Sequence, residues 1–144
     1  MAKSYEQACP VAKALEVVGD RWTLLLVRDL LRGAQRFQDF LVSLPGMAPT
    51  ILSDRLKLME EHGLVTRTFY SDHPPRAAYV LTDKGQELGG VVGALATWGS
   101  HYLHPHTQLV HTACAHPVQM GYYCPHCDAR VERSAVALQR SAGT

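Results

Sequence analysis

Nowhere does this chain of 144 residues hold an apolar run of the ~18 residues that a membrane span needs. Its opening residues, MAKSYEQACP, lack the apolar stretch of a secretory signal, so the expectation is a cytoplasmic protein with no membrane partner. An excess of one charge is missing too. Lys and Arg number 14 against 13 Asp and Glu, which excludes both a basic coat protein and a charged disordered tail. Enzyme signatures are absent: there is no HExxH, Walker A, GxGxxG or Ser-His-Asp spacing, and the expectation is a protein that is not an enzyme. Cysteine is scarce, at 4 residues, which argues against a secreted disulfide scaffold.

What is present is a hydrophobic share of 47%, enough for the core of one domain of ordinary size. Composition then shifts along the chain. Three of the 4 cysteines and 6 of the 8 histidines fall between His101 and Cys127. The division that follows is a body over 1–108, a Cys/His-rich module over 109–133 and a frayed tail over 134–144.

Helical periodicity dominates the body. Pro10 suits a first helical position, and Val11, Leu15 and Val18 share a face before Gly19. Asp20 can cap the next segment, RWTLLLVRDLLRG, whose middle is apolar almost all round and reads as a buried central helix. A short helix with Phe37, Phe40 and Leu41 leads to the turn Leu44-Pro45-Gly46. The helix after it places Leu52, Leu56 and Met59 on one face and ends at Gly63. Val65–Tyr70 and Ala77–Leu81 read as strands, with SDHPPR as a long hairpin loop between them. Thr82 then caps one continuous helix, rich in glycine (Gly85, Gly89, Gly90, Gly93, Gly99). Small residues there suit close helix approach, as at a dimer interface. The fold class is mainly α with a small β part (α+β): a winged helix-turn-helix with a two-stranded wing and dimerisation helices.

The residues carrying this pattern are specific. Cys9-Pro10, the run Gly19, Arg21, Trp22, Thr23, then Arg36-Phe37, LSDRL before EEHGLV, and YVLTDKG together resemble the HxlR family of bacterial transcriptional regulators, relatives of the MarR group. The resemblance spans about Cys9 to Leu103. It implies a homodimer on a palindromic double-stranded DNA operator, with one recognition helix per protomer in the major groove. It also implies a regulator, a repressor by expectation, that answers an oxidant, an electrophile or a small-molecule effector. Some members sense redox change through a cysteine at the position of Cys9, where a helix start lowers a thiol's pKa.

A helix in the major groove must present short or hydrogen-bonding side chains. Ala48, Pro49, Thr50, Ser53 and Lys57 lie away from the apolar stripe and are the candidate contacts. Arg36 precedes the short helix, and His73 and Arg76 sit on the wing, where they can meet phosphate or a minor groove. Arg67 and Lys84 are weaker backbone candidates, and Arg55 borders the stripe as an internal ion-pair candidate. Between Thr50 and Lys84 there are 5 basic and 5 acidic residues, so weak non-specific binding is expected. An effector pocket would draw its lining from Trp22, Phe37, Phe40, Tyr79 and Trp98.

The module carries its own pattern. His111-x2-Cys114 and Cys124-x2-Cys127, separated by 9 residues, match the two knuckles of a zinc-ribbon-like site. These four are the expected ligands of one structural zinc ion, with His116 as rival for the first. Ala115 and Asp128 stand where zinc ribbons usually have glycine. The alternatives are free thiols or a Cys124–Cys127 redox pair, in which case Cys9 or this cluster becomes the primary input of a redox or zinc sensor.

Overall fold

The structure is a computed structural model that describes residues 4–141. Two compact units divide the chain, Met1–Val92 and Gly93–Thr144, so the division falls earlier than the change in composition at 108/109.

In the first unit, α1 (Pro10–Val18) follows Cys9, whose backbone is extended, and closes at Gly19, where the amide donates to the Leu15 carbonyl at 2.8 Å. Asp20 precedes α2 (Thr23–Leu30), whose N-cap position is Trp22 rather than the aspartate, and still binds its opening amides. Its Oδ2 accepts from the amides of Trp22 at 2.9 Å and Thr23 at 3.1 Å, and its other oxygen accepts from the Thr23 hydroxyl. Leu26, Val27 and Leu30 of α2 are buried. Asp29 on the same helix is buried as well, and its Oδ1 is bridged by the exposed guanidinium groups of Arg28 and Arg32.

Next come β1 (Gln35–Arg36), α3 (Phe37–Ser43) and α4 (Pro49–Glu61), joined by the turn at Leu44–Gly46. Phe40, Leu44 and Met47 pack with the α2 residues and with Leu52, Leu56 and Met59 to form the core. The wing is β2 (Val65–Asp72) and β3 (Pro75–Leu81), antiparallel from Val65↔Leu81 to Asp72↔Pro75. Two expectations change here. The strands run to within two residues of each other, so the long loop is a tight turn at His73–Pro74. That peptide is cis. The sheet also gains β1 as a third short strand beside β3, in the order β1-β3-β2, too brief to leave a periodic signal.

The helix expected to run on from Asp83 is broken. Thr82 caps α5 (Asp83–Gln86), accepting from the Gly85 amide at 3.1 Å, and α6 (Gly89–Tyr102) starts afresh at Gly89-Gly90. The break falls at Glu87 and Leu88, and Gly89 and Gly90 are the first residues of α6 rather than its interruption. Gly85 is required by space, since a Cβ there would lie 2.2 Å from the Leu64 carbonyl oxygen.

In the second unit, Gly93 of α6 lies against Leu109 and Met120. The chain then has one isolated bridge, Val110↔Pro117, and a small hairpin of β4 (Tyr122–Cys124) and β5 (Ala129–Val131). Of the tail, Arg133–Ala135 forms a 3₁₀ turn, and 142–144 lie outside the described residues.

Burial pushes the Asp20 carboxyl up, but bonds from the Thr23 hydroxyl and the Trp22 and Thr23 amides outweigh it, with help from Arg55, and hold it below 3.8. Its contribution is therefore present above the unfolded value and lost as pH falls through the lower folded one. Asp20→Ala should cost about 1 kcal/mol at neutral pH. Urea unfolding at stepped pH should show that difference shrinking below about pH 4.

Candidate nucleic-acid interface and the cysteine-histidine module

The orientation of α4 follows from its inward stripe. With Leu52, Leu56 and Met59 at most 2% exposed, the opposite face is in solvent. Thr50, Ser53, Asp54 and Lys57 line that face at helical spacing, and Ala48 and Pro49 open it; all six are exposed. Short polar side chains at the N-terminal end of an exposed helix, one lysine a turn on, fit the requirement for reading a major groove.

Arg36 is the N-cap of α3, and its amide donates to Asp39 Oδ2 at 2.7 Å. The guanidinium lies 3.4 Å from the same carboxylate. That amide first, then the guanidinium, holds the Asp39 carboxyl below its ordinary value. The pair is open to solvent, which screens it, so a phosphate can compete for the arginine. Arg36 and Arg76 both line an open cleft of about 630 Å³ beside the wing, together with Gln38, Tyr70 and Tyr79. His73 sits exposed in the wing turn. Sequence reading missed Tyr70: an irregularity between Phe69 and Ser71 leaves it out of the strand register, and no local motif announces that.

Other basic residues are engaged within the fold. Arg55 pairs with Asp20 at 3.7 Å, as its place beside the stripe suggested. Arg67 is bound to Glu60 at 3.0 Å, and Lys84 donates to the His62 carbonyl at 2.7 Å. Of the aromatics expected to line a pocket, Trp22, Phe37 and Tyr79 pack against the core that holds Phe40, and Trp98 belongs to the second unit. Phe37 and Tyr79 line the wing cleft, Phe40 is fully buried core, and Trp98 is 59% exposed.

In the module, the four expected ligands come as two pairs. His111 Nδ1 lies 3.5 Å from Cys114 Sγ. The Cys127 amide approaches Cys124 Sγ at 3.5 Å and is the main cause that lowers the Cys124 thiol's pKa. Among the described residues, no group of three His, Cys, Asp or Glu side chains stands around one point. The rival, His116, meets His111 through its backbone, accepting from the His111 amide at 2.9 Å.

The HxlR-like helix-turn-helix family profile matches residues 17–107. The chain belongs to this family. The uncharacterized HTH-type transcriptional regulator Mb3122 of Mycobacterium bovis is 36% identical over 137 residues, covering 92% of this chain and 86% of its own. Among solved structures, PA1607, a candidate transcription factor, is 32% identical with a TM-score of 0.79, covering 94% of this chain and 97% of that one. The redox regulator HypR in its reduced form is 31% identical with a TM-score of 0.62, covering 65% of this chain and 92% of HypR. This HxlR-family chain is a transcriptional regulator with a DNA-binding winged helix-turn-helix, and its relatives are regulators rather than enzymes. Among the described residues, no helix is long and apolar enough to cross a membrane.

On duplex DNA from upstream of the protein's own gene, Lys57→Ala should weaken binding and lower the slope of log affinity against log salt by about 1. Thr50→Ala and Ser53→Ala should each cost about 1–3 kcal/mol on the specific duplex and leave binding to unrelated DNA unchanged. Fluorescence anisotropy across a salt series checks both.

Proposed function

We propose that this chain acts in the cytoplasm as a homodimeric, signal-responsive repressor of a palindromic double-stranded operator. The observation that carries the reading is the row Thr50, Ser53 and Lys57 facing solvent on α4, with Arg36, His73 and Arg76 exposed on neighbouring elements of the same unit. One such helix buries too little to select a site, whereas two set about one helical turn apart, ~34–36 Å, select a palindrome. Apolar surface for a second copy is available. Val11 and Leu15 on α1 are 54% and 41% exposed, as are Val91 and Leu95 on α6 at 42% and 52%.

Cys9 is the input that this arrangement favours. It is a free, half-buried thiol at the start of α1, whose carbonyl accepts from the Lys13 amide at 2.9 Å. Joining Cys9 to a second thiol in a disulfide, with two electrons and two protons passing to the oxidant, would disturb the helix that offers Val11 and Leu15, and so the spacing of the two α4 helices. Similarity to HypR and to YodB of Bacillus subtilis, both solved in a reduced form, supports a redox input.

One observation favours a small-molecule input beside it. Arg55 Nε is buried and has no hydrogen-bond partner among the described residues. It borders a cavity of about 250 Å³ with Thr23, Leu58 and His62. Glu16 lines the same cavity and Asp20 stands 3.7 Å from Arg55, so a small neutral effector that accepts a hydrogen bond fits better than an acid, and it would bear directly on α4, because Arg55 belongs to that helix. It regulates only if it binds the DNA-competent and incompetent states unequally.

In gel-shift titrations on the upstream duplex, diamide should lower wild-type affinity at least tenfold, and dithiothreitol should restore it. Cys9→Ser should bind as well as wild type and ignore diamide. Equal loss in Cys9→Ser would remove Cys9 from the mechanism, and a chain that is monomeric on DNA would contradict the two-site reading.

A further inference from the structure

We propose that His111, Cys114, Cys124 and Cys127 form a structural zinc site that closes the C-terminal unit. Both halves of the site are already shaped for the ion. The bridge Val110↔Pro117 encloses the first pair in a hairpin tip, and Cys124↔Ala129 encloses the second. Zinc bonds of about 2.3 Å to sulfur and 2.0 Å to nitrogen, set at the tetrahedral angle, place the two donor atoms about 3.5 Å apart. His111 Nδ1 and Cys114 Sγ stand at 3.5 Å. In the second half the Cys127 amide is aimed at Cys124 Sγ, the bond that supports a metal-bound thiolate.

The backbone supplies an independent sign. Among the described residues, two other than glycine have positive φ: Ala115 at 59° and Asp128 at 51°. Each directly follows the second ligand of its pair. A left-handed conformation is disfavoured for a residue with a Cβ, so two at matching positions need something that holds both turns. Asp128 is further tied by its carboxylate, which accepts from the Tyr123 hydroxyl.

Energetics of the unit point the same way. Every buried apolar side chain among the described residues lies at or before Val65, so the unit from Gly93 onward has no core of buried apolar side chains. Below about 70–80 residues even a real core supplies few kcal/mol, and small units are completed by metal or disulfide staples. Among the described residues the four do not gather into one group, and residues 118–121 between the two pairs lie outside helix and strand. That segment is the joint across which zinc draws the pairs together. Four protein ligands leave no open position, so the ion holds structure and does no chemistry. The three cysteines give up their thiol protons to solvent on binding, while the histidine binds neutral.

The test is metal analysis and thiol titration of the full-length chain, purified without chelator. One zinc per chain is expected, with three of the 4 cysteines reacting fast only after chelation. Cobalt exchanged for zinc should give the intense visible bands of a tetrahedral, thiolate-rich site. Cys127→Ser should lower zinc affinity at least a hundredfold, while His116→Ala should leave it unchanged. The double variant A115G/D128G keeps every ligand and relieves both turns, so it should bind zinc at least as tightly as wild type. A metal-free chain with all thiols reactive would overturn the proposal. So would a Cys124–Cys127 disulfide in the purified protein, or loss of zinc from His116→Ala with retention in His111→Ala.

Discussion

Burial of Leu52, Leu56 and Met59 against Phe40, Leu26 and Leu30 fixes which way α4 faces, and the surface chemistry of the first unit follows from that orientation. Fully burying each such side chain is worth about 1.5–3 kcal/mol. Rotating α4 by half a turn would forfeit most of that and bury Ser53, Asp54 and Lys57 in exchange. The penalty locks the polar face outward without any contact to DNA. The turn at Leu44–Gly46 and the strand pairing of Arg36 with Ala78 then hold α3 and the wing beside it.

Electrostatics divides the labour. Three of the arginines nearest the interface have carboxylate partners: Arg55 with Asp20, Arg67 with Glu60, and Arg36 with Asp39. The first two trim the positive field that would bind any DNA. Arg36 can exchange an exposed partner for phosphate at small cost. A regulator built this way leans on groove contacts by short side chains, with little attraction to the backbone at large. That is the physical content of a chain carrying a net charge of +1.

The winged helix was legible because its stripes are long and regular: Leu52, Leu56 and Met59, or WTLLLV in α2, read as the core they are. Features set by distant pairing were not. The wing turn looked long because SDHPPR is rich in turn formers, whereas the strands pair out to Asp72↔Pro75 and leave two residues between them. β1 is only two residues and exists because β3 offers it a free edge. Thr82 announced its cap, but the break behind it falls at Glu87 and Leu88, where no turn residue announces it. In the module, the residue types and spacing of the four proposed ligands were plain from sequence. What sequence could not supply was that Ala115 and Asp128 adopt the left-handed turn usually left to glycine. Their presence looked like a departure from the knuckle pattern, yet the backbone follows that pattern.

The central claim, that the outward face of α4 meets DNA, is tested most directly by amide hydrogen exchange with and without the upstream duplex. Slowed exchange should concentrate on residues 49–57 and the wing turn around His73, at chain-to-duplex ratios of two to one. Protection confined to residues 93–141, with α4 and the wing exchanging as in the free protein, would contradict the account.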